Sequence, residues 1–419
     1  MLLDISPLRR HRDYRLVFFG QLVSAIGSFM TYVALPVQTY TITKSSTVVG
    51  MLGAVELVPL ALTALWGGVL ADAFDRRRLL LWCEALLLLG SLGLAGNALL
   101  AQPNVALLFI IAAFVSAVNG FHMPSLTSLT PRLVPIEDLP AVSTLGSLRG
   151  TVAAIGGPAL GGACIASLGL STTFAVDAAS FAASLLALWA IRSMPPGKDA
   201  PAAGLASIRE GFRYAASRPE LIGTYAVDIV AVAFATPVAV LPALAERYGG
   251  AHAIGFLYSA ISVGALLTTV FSRWTRHVCR HGAAVAIGAA IWGLGVVLLG
   301  FAPSLPLAVL CLVIAGAGDG VSVIFRSRIW NETIPSELRG RMASIEQLSY
   351  MTGPLLGNVR AGFMADAAGL MRSIAWGGVA CIAGVFLCLR ILPDFWNYRE
   401  TDAGAVGTGA SVGTESGSL

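Results

Sequence analysis

Apolar positions along this chain come in long unbroken runs, separated by charges, prolines or short polar breaks. Twelve runs emerge, near residues 16–41, 47–71, 79–101, 104–127, 139–166, 171–191, 221–245, 252–272, 282–302, 304–327, 341–366 and 373–392. A helix rising about 1.5 Å per residue needs about 20 predominantly apolar residues to cross a hydrocarbon core of about 30 Å. The pattern therefore predicts an all-α polytopic membrane protein with twelve transmembrane helices.

Composition strengthens that expectation, because 56% of the 419 residues are hydrophobic, 12% are charged and the mean hydropathy is +0.78. Soluble domains do not reach such values. The 46 glycines fit a lipid setting, where small residues let helix backbones approach closely. The opening "MLLDISPLRRHRDYR" is charged on both sides of its proline and lacks an apolar core, so no cleavable signal peptide is expected and the first span serves as the insertion signal. Cysteines 83, 164, 279, 311, 381 and 388 show no paired spacing and read as small packing residues.

Charge fixes the expected orientation. An even number of spans puts both termini on one side, and that side holds 22 of the 27 lysines and arginines, including residues 326, 328, 339 and 341 at and beyond the end of the tenth span. The opposite side holds Lys44, Arg247 and Arg372, while Arg149 and Arg360 fall inside spans. By the positive-inside rule both termini are expected in the cytoplasm.

The stretch "GGVLADAFDRRR" at 67–78 concentrates charge in the short loop after the second span. Three arginines there need only obey the orientation rule, whereas Asp72 and the glycine pair ask for more: Asp72 could accept bonds from another helix N-terminus, and Gly68 could admit a neighbouring helix. The chain also repeats itself. "NG" at 119 recurs as "DG" at 319, "VPIE" at 134 as "IPSE" at 334, and "GPALGG" at 157 as "GPLLGN" at 353, at offsets of 200, 200 and 196. Two six-helix halves in the same orientation make a parallel repeat, an arrangement found among transporters.

With these residues in view, "GGVLADAFDRRR" resembles the cytoplasmic loop motif of the major facilitator superfamily, G-x-L-x-D-x-x-G-R-[RK], at Gly68, Leu70, Asp72, Arg76 and Arg77. It departs at Asp75, where the pattern has glycine, and at Ala73, where a basic residue is usual. The resemblance implies that Asp72 is a conformational latch, binding the cytoplasmic end of the eleventh helix in the outward-open state. "AAIGGPALGG" at 153–162 resembles the superfamily's antiporter motif at Gly157, Pro158, Gly161 and Gly162, with Ala153 in place of the first glycine, and implies export. A tight helix crossing without directional meaning explains the same residues. "VLPALAERYGG" at 240–250 and "AHAIGFLYSAISVGALL" at 251–267 resemble the enterobactin exporter branch, which also contains drug exporters. The resemblance places the chain in a bacterial inner membrane.

The expected domains are 1–192, a linker at 193–220, 221–400, and a disordered Gly/Ser/Thr/Ala tail at 401–419. Within the linker, Leu205, Ile208, Phe212 and Ala216 share one helical face, which suits a helix on the membrane surface. Charges inside spans are costly and functional by default. Glu84 and Asp177 fall on helices that the resemblance makes peripheral, and are read as a structural pair or as interfacial positions. Glu56, Arg149, Asp228, Asp319 and Arg360 fall on helices it makes cavity-lining, with Phe234, Tyr258 and Tyr350 as aromatic partners for substrate. Glu56 is the leading proton site, Asp228 the second, and Arg149 the switchable partner. The superfamily's usual arginine in the fourth helix is missing, and that span offers only His122.

"HVCRH" at 277–281 has metal-like spacing but no third firm ligand, and reads as a solvated basic loop. No cofactor is expected, and no Walker loop is present to power an ATP-driven pump. The expectation is a monomeric secondary transporter, not an enzyme, exporting an amphipathic small molecule in exchange for protons. A receptor of the same fold would share these features and lack only turnover. Reporter fusions after Arg218 and at the C-terminus are expected to read as cytoplasmic, and one near Ala302 as external; an external signal from the linker would overturn the twelve-span arrangement.

Overall fold

A computed structural model describes residues 4–193, 213–335 and 338–399, and at the helical positions 65–73, 339–341, 343–349 and 351 the description is of backbone alone. Two six-helix sets succeed one another. The first comprises α1 (Arg12–Thr43), α2 (Ser46–Ala73), α3 (Arg76–Leu99), α4 (Val105–Leu129), α5 (Leu139–Leu168) and α6 (Leu170–Trp189). The second comprises α7 (Pro219–Ala235), α8 (Ala251–Val270), α9 (His281–Leu299), α10 (Leu305–Thr333), α11 (Arg339–Ala368) and α12 (Leu370–Ile391). Among the described residues, eleven segments are long and apolar enough to cross a membrane, and α11 lies where the eleventh span is predicted.

Large apolar side chains point outward along these helices, such as Trp82 and Leu186, each 70% exposed, and Phe363 at 63%. Water would penalise such a surface, whereas lipid is the solvent it fits. Each half keeps a core of its own. Leu94, Leu108 and Phe174 pack within the first, while Leu257, Trp292, Leu312 and Phe325 belong to a larger cluster in the second.

The seventh span departs from the single helix expected over 221–245. α7 ends at Ala235, the chain makes a 3₁₀ turn at Val238–Val240, and a short helix Leu241–Arg247 resumes. Pro237 carries no N–H and forces Thr236 into extended backbone at φ −79°, ψ 116°, which breaks the ladder. The freed donor is not lost: Ala239 N–H donates to Asn358 Oδ1 of α11 at 3.1 Å. Irregular backbone at membrane depth needs such a partner.

The loop 74–75 shows what the charged stretch does locally. Asp75, the residue departing from the motif, caps α3 by accepting from the Arg77 and Arg78 N–H groups. Arg77 donates to the last carbonyls of α6, Leu188 O at 2.8 Å and Trp189 O at 2.5 Å, and Arg76 Nε donates to Ser128 Oγ of α4. These bonds clamp three helix ends of the first half. The side chains of Gly68 and Asp72 lie outside the described residues, as do most of the linker and the tail.

Among the described residues, contacts between the halves gather at the end of the bundle away from the termini. Gly162 of α5 meets Gly255 of α8 so closely that a Cβ on Gly162 would collide with backbone. Gly50 and Gly53 of α2 lie against the Asn358 and Leu355 carbonyls of α11, at 2.5 and 2.6 Å from where their Cβ atoms would be. Asp366, at the far end of α11, accepts from the Ser46 and Thr47 N–H groups at 3.0 and 2.9 Å and from Ser45 Oγ at 2.5 Å, so one half caps the first turn of α2 in the other. Lys44 pairs with Glu246 beside it. Toward the terminal end, nothing described comes within 4 Å of a Cβ built on Gly146 or Gly150 of α5.

Removing the Asp366 cap is expected to loosen this far-side closure without unfolding either half. Asp366→Ala should weaken the closed state by about 1 kcal/mol, the usual worth of a capping side chain, and raise labelling of a cysteine replacing Ser259, which is buried on α8 against Ile155 of α5. Unchanged labelling would show that glycine packing alone holds the closure.

Candidate functional site

Between the halves lies a cavity of about 290 Å³. Phe29 and Tyr32 of α1 and Pro158 of α5 form one wall, and Asp228, Tyr258, Trp292, Asp319, Arg326 and Tyr350 form the other. α1 brings Phe29 and Tyr32 to it through close packing on α5: a Cβ on Gly157 would strike Phe29, and one on Gly161 would press on Met30. These glycines position the wall and Gly162 the far-side crossing, so the motif around Pro158 serves both. Tyr32 and Tyr258 meet edge to face across the halves at 6.0 Å, and the Tyr258 hydroxyl donates to Val238 O.

The charged feature of the cavity is an arginine that charge counting along the sequence assigns to a loop. α10 continues to Thr333, so Arg326 is inside the helix and 1% exposed rather than at the membrane edge. One guanidinium nitrogen pairs with Asp228 of α7, and the other lies 3.8 Å from Asp319, two turns earlier on α10. Tyr350 of α11 places its ring 5.2 Å from the guanidinium carbon. The Arg326 Nε has no acceptor among the described residues. Asp319 keeps 38% of its side chain exposed, whereas Asp228 keeps 7%. The sequence signal was available, since residues seven apart in a helix share a face.

The other expected residues are distributed differently. Glu56 is half-buried beside Tyr32, and its carbonyl accepts from Ser116 Oγ at 2.7 Å. Arg149 is half-buried within electrostatic reach of Tyr14, and no ion pair joins it to Glu56. Arg360 turns toward α12, donating to Ser373 O and Met364 Sδ, both at 3.4 Å, with its guanidinium against Gly377. Phe234, 39% exposed, is not among the cavity residues. His281 is buried at the start of α9, 3.4 Å from Glu332, and no described group of His, Cys, Asp and Glu is arranged to hold a metal.

A buried arginine held by one buried and one half-exposed carboxylate separates their energetic roles. Arg326→Gln strands Asp228 and is expected to cost about 3–5 kcal/mol, whereas Asp319→Asn, a partly solvated partner, should cost under about 1 kcal/mol. Thermal unfolding of the purified variants in detergent reads the difference; equal midpoints would show that Asp228 finds another partner.

The sequence profile of the transmembrane secretion effector family matches residues 4–405. The chain is 27% identical to the enterobactin exporter EntS of Shigella boydii serotype 4 and of Escherichia coli strain K12, each over 402 residues that cover 96% of both proteins. In fold it is similar to a POT family transporter solved with 5-aminolevulinic acid, at a TM-score of 0.73 and 14% identity over 92% of this chain and 97% of that one. The nucleoside transporter NupG aligns at 0.69 and 12% identity, over 91% and 98%. The fold, the inter-half cavity and the profile agree: the chain is a multi-pass membrane transporter that belongs to the transmembrane secretion effector family of the major facilitator superfamily.

Proposed function

We propose that this transporter exports an amphipathic small molecule, of siderophore or drug class, by alternating access and in exchange for protons. The observation that carries this reading is the cavity itself, where an aromatic wall drawn from both halves faces a buried arginine and two carboxylates. An aromatic or apolar body packs on Phe29, Tyr32 and Trp292, and a polar group finds Arg326 and Asp319. The relatives named as enterobactin exporters support the siderophore class and the outward direction.

With the termini in the cytoplasm, as the charge asymmetry argues, far-side closure corresponds to the inward-facing state, ready to load substrate from inside. Opening the far side requires the Gly162–Gly255 crossing, the Asp366 cap and the Lys44–Glu246 pair to separate. Asp72, matched to the motif's latch position, is proposed to hold the opposite state.

Proton exchange needs an acid whose partner changes through the cycle. Asp228 and Asp319 share Arg326, so a proton on one carboxylate releases the guanidinium to the other or to substrate. Glu56, within electrostatic reach of the wall residue Tyr32 but not itself among the cavity residues, is the proposed acid of the first half. Arg326 takes the partner role that the sequence reading gave to Arg149.

Proteoliposomes loaded with enterobactin, and separately with a macrolide, test the reading under an imposed pH gradient. Wild-type transport of at least one probe should rise with the gradient, and Glu56→Gln and Asp319→Asn should each lose about tenfold or more of that gain, the weight typical of a positioned proton-transfer group. Transport indifferent to the gradient would remove the antiport claim, and full gradient response in Glu56→Gln would remove Glu56 as a coupling acid.

A further inference from the structure

Away from the cavity, the interior of the first half holds a file of two neighbouring polar clusters that the transport reading leaves unused. Glu84 of α3 is fully buried, and its Oε1 accepts from Gln21 Nε2 of α1 at 2.6 Å and meets His122 Nε2 of α4 at 3.0 Å. Gln21 Nε2 also reaches Ser184 Oγ of α6 at 3.0 Å. One turn along α6 from Ser184 are Ser180 and then Asp177, whose carboxylate accepts from Thr31 of α1 at 2.6 Å, Ser91 of α3 at 2.7 Å and Ser180 at 3.4 Å. The chain makes room for it: a Cβ on Gly27 would strike Ser180 and Asp177, and one on Gly20 would press on α6 at Ser184 and Ala187.

The charges in this file do not cancel by fixed ions. Among the described residues, the titratable groups facing Glu84 are His122 from α4, Asp177 from α6 and Cys83 on its own helix. Asp177 accepts from the Thr31 and Ser91 hydroxyls, while Ser180 gives its hydroxyl proton chiefly to the Asp177 carbonyl at 2.7 Å. Glu84 is less fully provided for, because its Oε2 is buried without any partner among the described residues. Two carboxylates and one imidazole carry a net charge of −1 when Glu84 and His122 hold one proton between them, and zero when they hold two. Both states use groups already in place, and neither leaves a cation unbalanced.

We propose that Glu84 and His122 form an exchangeable proton-binding site inside the first half. A proton taken from water forms the O–H bond on Glu84 Oε2 and leaves by the reverse step, with no other bond made or broken. Occupancy reaches the cavity through α1, which donates Gln21 and Thr31 to the file and Phe29 and Tyr32 to the substrate wall. The coupling of this site to export rests on the antiport reading; the proton site itself does not.

Difference infrared spectroscopy of the full chain in lipid nanodiscs, titrated from acid to alkaline, tests the site directly. A protonated-carboxyl band should titrate in the wild type and vanish in Glu84→Gln, which keeps an acceptor for Gln21 and nearly the same shape. In His122→Gln the band should persist with its proton affinity displaced about tenfold or more, as for directly interacting groups. A Glu84→Gln titration identical to the wild type, or an unmoved midpoint in His122→Gln, would overturn the proposal. In proteoliposomes, Glu84→Gln should lose gradient-driven enterobactin transport while keeping enterobactin exchange without a gradient. Wild-type transport that ignores the gradient would sink antiport and leave the infrared result standing, whereas full gradient response in a variant lacking the band would overturn the coupling role.

Discussion

The cost of an unpaired charge in a medium that cannot solvate it governs this molecule more than any single contact. Apolar burial supplies little drive between helices already surrounded by lipid, so close backbone packing and satisfied polar groups must hold the bundle. Arg326 obeys this rule by drawing Asp228 and Asp319 from two helices into one cluster, and Tyr350 from a third. The broken seventh span obeys it too, since the N–H that Pro237 frees at Ala239 is bound by Asn358. Polar side chains thus mark the places where the fold is obliged to come together.

That obligation separates the two kinds of inter-half contact. At the far side, glycines on α2, α5 and α8 bring backbones together with almost no side chain between them, and one carboxylate caps a helix start across the boundary. Contacts made of backbone and a cap are extensive when closed and leave few buried charges exposed when parted. At the cavity the contacts are aromatic and ionic, and they separate only if something else satisfies them. On the alternating-access reading proposed above, the far side would be the gate and the cavity the contact that substrate or protons must release.

The fold was legible because it follows from run length. Twenty apolar residues can do little but span, and the offset repeats at 119 and 319 and at 157 and 353 announce two halves. The break at Pro237 lay in plain sight, yet apolar count outweighed it. The site was less legible. Hydropathy assigns an arginine near the end of a run to the loop, and only the seven-residue spacing to Asp319 hinted that Arg326 turns inward. Arg149 and Glu56 were matched by depth, but depth does not fix azimuth, and no ion pair joins the two. Asp75 departs from the loop motif for a local reason, the N-cap of α3, which no motif comparison could supply.

Buried polar residues that pair across helices are the hardest to read from sequence, because the pairing lies in three dimensions. Glu84, His122 and Asp177 are separated by 38 and 55 residues along the chain, and each alone looks like an isolated polar position in an apolar run. Their convergence in one half, with Arg326 and its two carboxylates in the other, gives the two halves different electrostatic characters. In the second half a fixed positive charge is shared by two acids; in the first, among the described residues, Glu84 meets only an amide and an imidazole. A guanidinium keeps its charge throughout any cycle, whereas the site proposed at Glu84 and His122 would not. The second half thus sets a permanent cation against the cavity, whereas the proposed proton site lies away from it in the first half, and α1 is the element that carries side chains to both.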